Sequence, residues 1–136
     1  MAKMVLTSEY VGINSVDYSD NVRKAELTVE VEDKDVTTFG SDGWTEVLGG
    51  LKSGELKVEF LQDFAAGQVD EDMWALLGSV VTFEVRPTSA VVGTSNPKFT
   101  GSILVNGWNP IEGGVGDEAS VSVSFPVSGA VTRATS

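Results

Sequence analysis

The chain has 136 residues, the length of one compact domain, with 20 acidic and 9 basic residues for a net charge of −11, and with neither Cys nor His. That composition excludes disulfides, thiolate nucleophiles, Cys-held zinc or iron–sulfur centres, imidazole bases and Ser–His triads. The acidic balance argues against holding nucleic acid by phosphate neutralisation. With 41% hydrophobic and 21% charged residues, the chain reads as globular over 1–136, with no linker and no internal repeat.

In chain order, Met1–Glu9 shows no apolar h-region of a secretory leader, and no apolar run anywhere approaches the roughly 20 residues of a membrane span. The first strong pattern is Arg23–Asp33, where Ala25, Leu27, Val29 and Val31 alternate with Lys24, Glu26, Thr28, Glu30 and Glu32. Period two predicts a strand with one buried and one wet face. Glu55–Phe64 repeats it, with Leu56, Val58, Phe60 and Phe64 on one face and Glu55, Lys57, Glu59 and Asp63 on the other. Between these strands, 34–53 carries Phe39, Trp44, Val47, Leu48 and Leu51 without a sustained period. A connection of this length is uncommon inside a small domain unless functional. It reads either as a further irregular strand or, as its apolar content favours, as an arm that docks on another subunit.

Asp70–Leu77 predicts the one short helix: Asp70 as N-cap, Glu71 and Asp72 on the positive pole of the helix dipole, and a staple of Val69 against Trp74. Met73, Leu76 and Leu77 are spaced to face a core, and Gly78 suits the left-handed C′ position. Further strands follow where Val81, Phe83 and Val85 alternate with polar residues, where Phe99, Ile103 and Val105 share a face, and where Ala119, Val121, Val123 and Phe125 alternate with Glu118, Ser120, Ser122 and Ser124. The 21 Val and 11 Thr tip the balance further toward strand. The predicted fold is mainly β: a two-sheet antiparallel sandwich or barrel with one short helix and a long inter-strand loop.

Motifs for chemistry are weak. Gly49–Gly54 departs from a phosphate loop, because Leu51 precedes Lys52 and a strand follows. Asp33, Asp35 and Asp42 lack the spacing and terminal Glu of an EF-hand. Paired carboxylates of a glycosidase have no distinguishing pattern among so many strand-face acids. Trp44 and Trp108 are residue types that stack on sugars, although Trp108 in Asn106–Pro110 reads better as closing the core at a strand end. No catalytic, cofactor-binding or metal-binding residue is assigned.

The order of elements resembles the major tail (tail tube) protein of long-tailed bacteriophages. The shared features are the long gap between two early strands, the single helix at Asp70–Leu77, and the closing β region that runs from Phe99–Trp108 through Gly-rich turns to Val121–Pro126 with a short Ser/Thr/Ala tail. The resemblance spans Met4 to Val131 and implies a non-enzymatic virion protein, made in the host cytoplasm, that polymerises as stacked hexameric rings into the conduit for DNA ejection. It implies that one sheet continues around the ring as an inner barrel. It implies that 34–53 reaches the adjacent ring, with Phe39, Trp44, Val47, Leu48 and Leu51 as anchors. Glu26, Glu30, Glu32, Glu59 and Asp63 become candidates for an anionic lumen past which DNA slides. Expected partners are further copies of the chain, the tape measure, tail terminator and tail tip proteins, and DNA in transit. The alternatives are a capsid decoration or head-completion protein and a carbohydrate-binding sandwich.

Overall fold

The computed structural model describes residues 3–136; Met1 and Ala2, which open the N-terminal stretch read above, lie outside the described residues. Eight strands and one helix follow in order: β1 (Tyr10–Ile13), β2 (Val16–Asp17), β3 (Val22–Asp35), β4 (Val47–Leu61), α1 (Val69–Leu76), β5 (Val80–Arg86), β6 (Lys98–Leu104), β7 (Ser120–Pro126) and β8 (Thr132–Ala134). They form a five-stranded sheet of order β2-β1-β5-β6-β8 and a three-stranded sheet of order β3-β4-β7, all neighbours antiparallel. Neither sheet closes on itself, so the architecture is a sandwich and not a barrel.

Alternation builds the core as the sequence predicts. Leu56, Val58 and Phe60 of β4 and Val121 and Phe125 of β7 face Val81 and Phe83 of β5, Ile103 of β6 and Ile13 of β1, all buried. Phe60 sits at the centre, with Tyr18 edge-on at 6.1 Å and Trp108 at 5.7 Å. T-shaped contacts of this kind add to the area that the rings bury. Trp108 is buried, which confirms its core-closing role and removes it from any sugar-stacking surface.

The helix differs from its expected form. It starts at Val69, and Gln68 takes the N-cap position without a side-chain cap bond. Asp70 is therefore free to accept a hydrogen bond from Trp108 Nε1 at 3.0 Å, and Asp72 accepts one from the Tyr18 hydroxyl at 2.9 Å. The first-turn acids thus tether the two rings that flank Phe60, besides complementing the helix dipole. Val69 lies inside the helix and is fully buried while Trp74 is exposed, so the expected staple is absent. Met73 is buried, Leu76 packs on the core, Leu77 is exposed, and Gly78 adopts φ 87° at the C′ position as its sequence context implied.

Three short strands escaped the sequence reading. β1 and β2 flank Asn14 and Ser15, which both adopt positive φ (55° and 66°), the geometry of a tight two-residue hairpin turn. β8 has three residues, too few to display a period. The largest correction concerns 34–53. Only 36–46 lies outside the ladder: β3 continues to Asp35 and β4 begins at Val47, paired Asp33 with Gly49, Lys34 with Leu48 and Asp35 with Val47. The supposed long loop is the distal half of one hairpin. Its tip holds a single 3-10 turn, Phe39–Ser41, and is closed by Val36 N–H to Glu46 O at 2.9 Å.

Candidate assembly surface

The two sheets end differently. The five-stranded sheet terminates in β2, of two residues, and β8, of three, which offer little backbone to a partner. The three-stranded sheet terminates in β3, of 14 residues, and β7, of seven. Long unpaired edges are templates for strand addition, and soluble monomers normally blunt them. This sheet is therefore where a second chain has most to pair with.

The β3–β4 hairpin also outruns the core. Val29 to Asp35 and the facing part of β4 lie beyond Leu56, the last buried residue of the two strands. At about 3.3 Å per residue the ladder overhangs by roughly 20 Å. The apolar stripe continues into this overhang, where Val29 and Val31 are about half exposed and Val47 more so. A register shift between Val31 and Asp33 gives β4 one extra residue, a β-bulge that changes which β4 residues share a face with the stripe.

The five candidate anchors are accordingly placed in two ways. Phe39 and Trp44 stand at the tip, Phe39 fully exposed and Trp44 77% exposed. Val47 and Leu48 are successive strand residues and project to opposite faces, Val47 with the stripe and Leu48 opposite Lys34. Leu51, 80% exposed, sits at the bulge. The sequence reading missed Val29 and Val31 as surface residues because it assigned their whole stripe to the core. The available signal was length: the pattern Arg23–Asp33 alone already exceeds the usual strand length of about 3–10 residues.

The wet face of the three-stranded sheet brings most of the acidic candidates together. Across β3 and β4, Lys24 pairs with Glu59, Glu26 with Lys57, Thr28 with Glu55 and Glu30 with Ser53. On β7, Ser122 and Ser124 continue the face opposite Glu59 and Lys57. The face holds four carboxylates against two ammonium groups, and opposite charges face one another across the ladder, so it is only mildly anionic. Glu32 lies farther out on the same edge of β3 and pairs with Lys34. Asp63 does not join them: it falls beyond β4, where its carboxylate accepts from Ala65 N–H at 2.9 Å in a turn before the helix. At the base of the face Arg23 bridges Glu59 at 3.4 Å and Glu118 at 2.6 Å. That contact holds the Glu118 carboxyl below its ordinary value and the guanidinium above its own.

Nothing among the described residues gathers three or more acids in a metal-binding group, and no described helix is long and apolar enough to cross a membrane. A surface groove of about 610 Å³ is lined by Leu6–Glu9 and by Val22–Ala25 of β3.

Residues 14–133 match the family model for phage tail tube proteins. The chain belongs to the phage tail tube protein family. Among solved structures it is similar to a chain of the virion of a native gene transfer agent particle, with 23% identity, a TM-score of 0.66, and coverage of 83% of this chain and 84% of that one. It is also similar to a chain in the tail of an empty gene transfer agent particle refined with C6 helical symmetry, with 22% identity, a TM-score of 0.66, and coverage of 82% and 81%. At these identities the likeness shows a shared fold. Compared with curated proteins one by one, the chain matches none.

Proposed function

We propose that the chain is the structural subunit of a phage tail tube, a virion protein that polymerises as stacked six-membered rings and conducts DNA. The observation that carries this reading is the family match over 14–133; the open edges and overhanging hairpin supply a mechanism. Copies arranged head to tail join the edges of their three-stranded sheets, so each ring closes without leaving an edge exposed. Ring closure then turns the wet face of that sheet to a common side, and the lumen is its proposed place. Glu26, Glu30 and Glu59 would line the bore beside Lys24, Lys57 and the β7 serines, a surface polar enough to stay wet and short of the net positive charge that would grip phosphate.

Stacking falls to the hairpin overhang. Its apolar residues gain little in the free chain, where water surrounds them, and bury their surface only against a neighbouring ring. Assembly then needs no chemical step. The tape measure, terminator and tip proteins would meet this surface in the bore and at the tube ends. Negative-stain microscopy of purified protein across a concentration series tests the reading: hollow tubes or six-fold rings are expected, and solid aggregates or filaments without a bore contradict it.

A further inference from the structure

Strand parity raises a question about ring closure, on the tail tube reading above. Within the three-stranded sheet β3 and β7 both run antiparallel to β4, and hence parallel to each other. Rotation about a tube axis keeps every copy in the same sense. A direct junction of β7 from one copy with β3 of the next is therefore parallel, the less stable pairing per residue and the less common one. One additional strand per subunit makes every junction antiparallel.

The segment for that strand is present at the right edge. Among the described residues, Lys3–Glu9 makes no backbone hydrogen bond to the rest of the chain. Met4, Val5 and Leu6 are all more than half exposed, a short β-competent run outside any strand, followed by a bend at Thr7–Ser8. The segment flanks the groove along Val22–Ala25 of β3. Its direction is set at one end: Val11 O accepts from Tyr18 N–H at 2.9 Å, and Tyr18 O accepts from Val22 N–H at 3.1 Å. Residue 9 therefore lies near the start of β3, and a strand laid back along the β3 edge from that point would run antiparallel to β3. The groove, about 610 Å³, runs past four β3 residues, so the strand edge there is open to a further strand.

We infer that Met4–Ser8 becomes the fourth strand of each subunit's inner sheet, between its own β3 and the β7 edge of a second copy, and that it orders only when that copy arrives. The free edge of β3 is thereby covered in the ring by the chain's own N-terminal segment, and subunit contact passes through that segment to β7.

Hydrogen exchange on free and assembled full-length protein tests this, alongside V5P and V5T variants. Assembly is expected to slow the amides of Val5–Ser8 by about a hundredfold or more. Because Pro removes a ladder donor, V5P raises the critical concentration for assembly by about tenfold or more while V5T stays near the wild-type value. The melting temperature of unassembled V5P stays unchanged. Assembled protein in which Val5–Ser8 exchanges as freely as in the free chain overturns the inference and leaves the tube reading intact, as does V5P assembling at the wild-type concentration. A full-length chain that forms no ring or tube at any concentration overturns both.

Discussion

Replacing Trp44 with Ala separates folding from stacking. Trp44 is 77% exposed at the tip of the hairpin. The free subunit therefore loses little on its removal, a change within about 0.5 kcal/mol as for other surface substitutions. In a stacked tube the same ring has about three-quarters of its surface still to bury, roughly 150 Å² of the ~200 Å² of an aromatic side chain. At about 25 cal/mol per Å² that is worth up to about 4 kcal/mol per subunit. A loss of even 3 kcal/mol raises the concentration needed for assembly by more than about a hundredfold. The assay pairs a thermal melt of unassembled protein with pelleting and microscopy of a concentration series. Trp44→Ala is expected to melt with wild-type protein and to fail to form tubes where wild type forms them. Tubes at the wild-type concentration would refute the docking role of the tip, and a melting temperature lowered by many degrees would refute its independence from the fold.

Other substitutions divide along the same line. Trp108→Ala empties a core site and leaves the Asp70 carboxylate without its donor, so a loss of about 3–5 kcal/mol is expected in denaturant unfolding; unchanged unfolding would contradict the tether. Tyr18 is held above its ordinary value, first by burial and then by its hydrogen bond to Asp72 and the charge there. Its contribution is fully present below the ordinary tyrosine value of about 10 and is lost as pH rises through the higher folded value. Tyr18→Phe should therefore be less stable by about 1.5–3 kcal/mol at neutral pH and show a weaker alkaline decline than wild type; parallel pH profiles would argue against the contact. Reversing Glu26, Glu30 and Glu59 to Lys leaves the core untouched. Tubes of that variant are expected to retain DNA in co-sedimentation at low salt and release it at high salt, and intact reversed tubes that hold no DNA would remove these residues from the lumen.

The legible part of this fold was its half-buried strands, because alternation at Leu56–Phe60 and Val121–Phe125 reports one wet and one dry face directly. The hairpin overhang was hidden for two reasons. The stripe Ala25–Val31 has the same period inside and outside the core, so pattern alone cannot say where the covering sheet stops. The bulge opposite Val31–Asp33, beside Gly49 and Gly50, breaks the alternation of β4 and made a continuous strand resemble a loop. Phe64, assigned to a buried face by its parity, is exposed because β4 ends at Leu61. The tethers from Asp70 and Asp72 join residues 38 and 54 positions apart, a separation that local pattern does not register. Their capping-type residues pointed correctly to a helix start and not to what the carboxylates hold.

A reconstruction of assembled protein by electron cryo-microscopy tests the central claim most directly. The account predicts a hollow tube of six-membered rings with Lys24, Glu26, Lys57 and Glu59 turned to the bore and the hairpin tip, with Phe39 and Trp44, seated on the adjoining ring. A tube whose bore is lined by the five-stranded sheet, with the three-stranded sheet on its outer wall, would contradict it.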